Sequence, residues 1–161
     1  MPQSAVTTVI LFSALLLIML FITAYSTTLI SSVKEEGIRR SLSEISTLIY
    51  TQVTQAEALA GELGTNVTIK LVHPKFIGRS TYVIYFINAS NVSKYLSYVN
   101  LRQGESAVIL RLGNVWVGES LPKNTYVANQ EVILTSYSDI VINVTSTGTN
   151  YIITVTPLGG G

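Results

Sequence analysis

The chain is 161 residues long, 48% apolar and only 12% charged, with a net charge of +1 and no cysteine. A typical soluble domain carries about 25% charged residues, so this composition excludes a disordered tail protein and does not suit an ordinary cytosolic enzyme. Near-zero net charge excludes a basic nucleic-acid binder, and the lack of cysteine excludes a disulfide framework, an iron–sulfur cluster and thiolate zinc.

Residues 1–33 contain no Asp, Glu, Lys, Arg or His, and 5–30 are strongly apolar. At about 1.5 Å per residue, twenty-six helical residues reach roughly 39 Å, enough to cross a bilayer core of about 30 Å. Apolar residues fall on every side of such a helix, so it must be buried all round. Lipid can bury it, and so can a bundle of identical helices. A cleaved secretory signal fits poorly, because no basic n-region precedes a stretch this long. Lys34, Arg39 and Arg40 follow the segment and no basic residue precedes it. The positive-inside rule then places the C-terminal part in the cytoplasm unless a basic leader has been removed. Either Met1 is accordingly expected not to be the true translational start, or the leader is expected to be missing. Thr7, Thr8, Ser13, Thr23, Ser26, Thr27 and Thr28 punctuate the segment. Such hydroxyls allow close helix approach and bond back to the backbone, or are merely tolerated in a span.

From Ile38 the apolar residues keep a helical beat at Ile38, Leu42, Ile45, Ile49, Ala56, Leu59 and Leu63, with Gln52 in the one missed slot and Val53 beside it. This predicts a one-faced amphipathic continuation over 34–64, with Glu57 and Glu62 on solvated faces. Gly61 and Gly64, followed by Thr65 and Asn66, supply C-cap chemistry. No turn signal interrupts 30–38. One helix from about residue 4 to 63, roughly 90 Å long, is the simplest expectation. Gly37 weakens the join by about 1 kcal/mol relative to Ala and marks a site for bending or local melting when neighbours pack.

After Gly64 the period changes from 3.6 to 2. Val67, Ile69 and Leu71 alternate with polar residues, and further strands are expected near 82–87, 95–101, 106–112, 115–117, 132–135, 140–145 and 151–156. The segment 82–87 is apolar on both sides and reads as a central strand. Residues 146–150 form a hairpin loop between the last two strands. This pattern predicts an α+β chain in which 65–161 folds as an antiparallel β-sandwich of the Ig-like kind, ending in a mobile tail at 158–161. Seven of the nine tyrosines fall here, as strand fillers or as an adhesive or subunit-contact surface. Trp116 should lie on the opposite face from Val115 and Val117, covering a sheet edge or touching a neighbouring subunit.

Four Asn-x-Ser/Thr sequons occur, at Asn66, Asn88, Asn91 and Asn143. Asn66 and Asn143 alternate out of phase with apolar neighbours and should face solvent, while Asn88 and Asn91 bracket a loop. All four are candidates for N-linked glycans. Chemistry is otherwise absent. His73 is the sole histidine, the nine acids form no calcium loop, and no phosphate loop or nucleophile elbow is present. No catalytic, cofactor-binding or metal-ligating set is expected, and no enzyme.

The uncharged start at 5–33, its fusion to the amphipathic stretch 34–63, and the Ser/Thr/Asn-rich β domain with its sequons resemble an archaeal type IV pilin. That family belongs to a superfamily with bacterial pilins and archaeal flagellins. The family's basic leader ending in Gly is absent, as expected of a mature chain. The acidic residue near the start of bacterial pilins is absent too, since the first acid is Glu35. The resemblance implies a subunit held in the membrane, cut by a prepilin peptidase, and extracted by an assembly ATPase and platform protein into an extracellular filament. The N-terminal helices then form the core, with Val9, Leu16, Leu20 and Ile30 as core contacts, and the β domains face outward, serving adhesion. The alternative is a membrane-anchored β-sandwich that never polymerises, such as an archaeal flagellar motor stator or an envelope-binding subunit. A carbohydrate-binding or enzymatic module on a stalk is a third class, for which the sequence offers no acid or aromatic constellation.

Overall fold

The computed structural model describes residues 2–158, with side chains from Thr7 onward. Of the tail expected at 158–161, Leu158 is the last residue of a strand and the rest lies outside the described residues. A single α-helix, α1, runs over Pro2–Leu63. The chain divides into two compact units, 1–37 and 38–161.

In the first unit every residue from Thr7 to Gly37 is exposed, on all faces of the helix. Several of its hydroxyls are satisfied within the helix itself. Thr23 Oγ1 donates to the Met19 carbonyl at 2.8 Å, Thr27 to Thr23 at 2.8 Å and Thr28 to Ala24 at 3.0 Å. Such i→i−4 bonds let a hydroxyl sit on an apolar helix without an unmet donor.

The second unit comprises the remainder of α1 and eight strands. They are β1 (Val67–Lys70), β2 (Val83–Ile87), β3 (Ala107–Leu112), β4 (Val115–Ser120), β5 (Thr125–Val127), β6 (Glu131–Thr135), β7 (Asp139–Ser146) and β8 (Tyr151–Leu158). They form two four-stranded sheets, ordered β1-β7-β8-β5 and β4-β3-β2-β6. All pairings are antiparallel except β5 with β8, which is parallel. As expected, β2 is central and its last four residues are buried. The expected helix stop is at Gly64, whose φ of +61° is a left-handed conformation natural to a glycine just past a helix end. At the β3–β4 hairpin, Leu112 pairs with Val115 across a two-residue loop, and Gly113 at φ +60° opens the turn.

One buried cluster joins Leu42, Ile49 and Val53 of α1 to Ile84, Phe86 and Leu110 of one sheet and Ile142, Val144 and Ile153 of the other. The helical stripe differs from the expected one. Leu42, Ile45, Ile49, Val53, Ala56 and Ala60 are buried, whereas Leu59 and Leu63 are 47% and 65% exposed. Steps alternating four and three average 3.5 residues, while an α-helix turns every 3.6, so a heptad stripe drifts about 20° per seven residues. A straight helix packed on sheets therefore takes Val53 and Ala60 in place of Gln52 and Leu59. The same drift carries Glu57 inward. It is 4% exposed, against the expectation of a solvated face.

The strand expected at 95–101 is not a strand. A 3-10 turn over Val92–Lys94 continues into further turns, with Tyr95 N–H on the Val92 carbonyl and Val99 N–H on the Tyr95 carbonyl. Val92, Tyr95, Leu96 and Val99 all pack into a second buried cluster with Tyr85, Ile87, Leu101 and Ile109. Their i, i+3, i+4, i+7 spacing is helical, and that period outweighs the β propensity of Tyr and Val. The strand β5 was not anticipated, because three residues between two polar runs are too few to show a period.

Candidate functional site

The largest unsatisfied surface is the apolar half of α1. Val9, Leu16, Leu20 and Ile30 are 65%, 47%, 67% and 70% exposed, and Phe12, Leu17, Phe21 and Ile22 are exposed beside them. The helix is long and apolar enough to cross a membrane. Full burial of a large aliphatic or aromatic side chain contributes about 1.5–3 kcal/mol. A continuous run of such side chains around a helix is thus a strong drive to leave water, and it has no directional preference.

In the second unit the segment after β2 carries an aromatic cluster that sequence inspection did not foresee. Trp116 on β4 is half-buried and sits with ring centroids 5.6 Å from Tyr85, 6.1 Å from Tyr95 and 5.1 Å from Tyr98. The Tyr98 ring is stacked on it at 25°. The Arg111 guanidinium lies 4.6 Å from the indole centroid, within cation–π range. Tyr95 donates its hydroxyl to the Glu131 carboxylate. Trp116 does lie opposite Val115, which joins the main core, so the alternation was legible. What assembles the cluster is the helical spacing of 92–99, which overlaps the strand expected at 95–101.

A second polar assembly fastens the loop between β1 and β2. Lys75 Nζ donates to Asp139 Oδ1 at 2.7 Å and to the carbonyls of Tyr137 and Ser138, while Lys70 holds Asp139 Oδ2 at 2.7 Å. The bonds from Lys70 and Lys75 hold the Asp139 carboxyl at about 2, below its ordinary range. Beside it, Tyr82 donates its hydroxyl to the Pro74 carbonyl at 2.5 Å, and His73 Nδ1 lies 3.1 Å from the Tyr82 oxygen. His73 is 8% exposed, its Nε2 is buried without a partner, and burial lowers its pKa. His73 belongs to that loop itself, and its lowered pKa favours the neutral imidazole. Glu57 is buried likewise and accepts the Thr125 hydroxyl at 2.6 Å; desolvation raises its pKa, and the bond from Thr125 only partly opposes this. These groups are apart from one another in role. Among the described residues, no three of His, Cys, Asp or Glu gather as a metal site.

The four sequon asparagines occupy different settings. Asn66 is exposed just beyond the helix cap. Asn88 and Asn91 use their amide nitrogens on the Val127 and Gln130 carbonyls, at 2.5 and 3.1 Å, and so pin the stretch before β6. Asn143 lies mid-strand between Thr68 and Thr154, half-buried, with Oδ1 shielded and unpartnered. Sequence alternation alone could not separate these environments.

The chain matches no family model, and neither the curated proteins nor the solved structures contain a detectable relative.

Proposed function

We propose that this protein is the structural subunit of a type IV pilus-like filament, polymerising through the apolar half of α1. The single observation carrying this reading is a charge-free helix exposed on every face from Thr7 to Val33. Lipid shelters such a helix before assembly, and identical helices shelter it afterwards, so its apolar surface stays dry throughout. A heterologous contact repeated without closure generates a helical filament. In this reading the second unit is an outward-facing head of the Ig-like sandwich kind. It displays an adhesive surface outside the cell, with Asn66 the most accessible sequon for an N-linked glycan. A prepilin peptidase, an assembly ATPase and a platform protein are the partners it calls for. Electron microscopy of the purified protein tests it. Helical filaments are expected, and Leu16→Asp should abolish them while the β domain keeps its circular dichroism.

The competing reading is a monomeric membrane anchor carrying the same β domain. It draws on the length of the helix, which suffices for a bilayer. Under it, Leu16→Asp weakens membrane retention and no filament forms from the wild-type chain.

A further inference from the structure

A polar groove runs through the second unit where α1 passes the free edge of β4. One cavity of about 270 Å³ is lined by Arg39, Ser43, Tyr98, Asn100, Trp116 and Gly118, among others. A neighbouring cavity of about 350 Å³ is lined by Tyr50, Asn100, Arg102, Gly118, Glu119 and Ser120, among others. They share Asn100 and Gly118 and so form one continuous depression, of the size range of small-molecule sites. Consecutive β4 residues from Val117 to Ser120 line it. Since successive residues point to opposite faces, the depression must follow the backbone edge, and β4 is the terminal strand of its sheet.

Three properties of the groove define what fits. Its wall is aromatic: Tyr98, 60% exposed, is held in place by stacking on Trp116, and Tyr50 stands farther along. Three of its polar groups are planar and uncommitted. The Asn100 amide makes no hydrogen bond, and Arg39 and Glu119 make no ion pair, among the described residues. Its floor is closely packed at Gly118, where a Cβ would meet Ile109 Cγ1 at 3.0 Å and the Val108 carbonyl oxygen and Val99 Cγ1 at 3.1 Å. On the same helix stripe as Ser43 and Tyr50, Ser46 is 2% exposed and its Oγ has no partner, an unmet polar demand on that side of α1.

We infer that this groove binds an oligosaccharide, with a pyranose ring against the free face of Tyr98, the ring that Trp116 supports from behind, and hydroxyls on Asn100, Arg39 and Glu119. Pyranose rings present apolar C–H faces to aromatic rings, and paired hydroxyls suit amide, guanidinium and carboxylate groups that offer two atoms in one plane. An extended peptide adding to β4 is the rival occupant. Such a peptide draws its affinity from main-chain hydrogen bonds to the strand edge, and it has no use for the uncommitted Asn100, Arg39 and Glu119 groups in a lining that also includes Val99, Leu101, Val117, Leu121 and Pro122.

Trp116 is the chain's one tryptophan, which makes it an internal reporter. The full chain in micelles of a sugar-free zwitterionic detergent is titrated with cellohexaose, chitohexaose, maltohexaose and a hyaluronan hexasaccharide, following Trp116 emission and heat. At least one should give a saturable signal. Tyr98→Ala and Asn100→Ala should each weaken that affinity at least tenfold with unchanged circular dichroism, and Tyr137→Ala, at an exposed aromatic elsewhere, should leave it as it is. No saturable signal with any of the four overturns the inference. So does binding that survives both Tyr98→Ala and Asn100→Ala, and so does a response to a peptide of residues 151–158 with none to the saccharides.

Discussion

The two halves of α1 are one helix by hydrogen bonding and two different objects by composition. Over 7–33 no side chain is charged and every one is exposed; over 38–63 one stripe is buried against sheets and the other faces carry Ser, Thr, Gln and Glu. The first half has no inside and no outside, so nothing within its own chain can satisfy it. The second half is satisfied by its own chain. The contrast teaches where the chain's own folding stops burying apolar surface.

The largest break in that contrast is a charge placed in the first half. Leu16→Asp puts a carboxylate where only lipid or neighbouring helices can lie, a position on the order of 2.5–3.5 kcal/mol unfavourable in a membrane core. Loss of filaments by electron microscopy is expected, with the thermal transition of the β domain unmoved. In the second half the corresponding change is intramolecular. Ile49 is fully buried, and Ile49→Ala should lower the stability of the β domain by about 2–5 kcal/mol in urea unfolding.

A smaller effect sharpens how closely the second half packs. A Cβ at Gly61 would stand 2.7 Å from the Tyr151 hydroxyl oxygen. The clashing atom is the tip of a side chain that can shift, so Gly61→Ala should cost about 1 kcal/mol or less once its better helix propensity is counted. Adding Tyr151→Phe removes the clashing atom and should recover part of that cost in a double-mutant cycle.

The smallest effect is electrostatic. The buried Glu57 carboxyl titrates above its ordinary value of 4.5, chiefly because burial penalises the charged form. A raised folded-state pKa means that its contribution is fully present below pH 4.5 and is lost as pH rises through the raised value. Glu57→Gln should remove that part of the pH dependence, seen as a flatter plot of unfolding midpoint against pH. At neutral pH the variant should be at least as stable as wild type, by about 1 kcal/mol or less. Asp139 has the opposite sign: held at about 2, it favours the fold above its ordinary range and loses that contribution as pH falls through 2.

Much of the fold was legible because two periods announce it. The helix from Pro2 to Leu63, its stop at Gly64, the central β2 and the β7–β8 hairpin all follow from hydrophobic spacing and turn chemistry. The misreadings also have physical causes. A heptad-like stripe drifted off a 3.6-residue helix, so Leu59 and Leu63 face out and Ala60 and Glu57 face in. Tyr95 to Leu101 was rich in β formers but spaced as a helix. The parallel β5–β8 pairing left no trace, since three residues carry no period. The apolar half of α1 was fully legible, because an exposed surface of this kind is a property of composition. The groove beside β4 was not. Arg39 and Ser43, Tyr98 and Asn100, and Trp116 to Ser120 come from three separate stretches that only the tertiary fold unites.

The central claim is that Leu16 ends among helices of identical subunits. Because the chain has no cysteine, a single Leu16→Cys variant can carry one spin label. Its accessibility to oxygen and to an aqueous nickel chelate is then measured in protein sheared from the cell surface. A packed helical core predicts low accessibility to both agents. High oxygen accessibility with low nickel accessibility would place Leu16 in lipid and contradict the filament account.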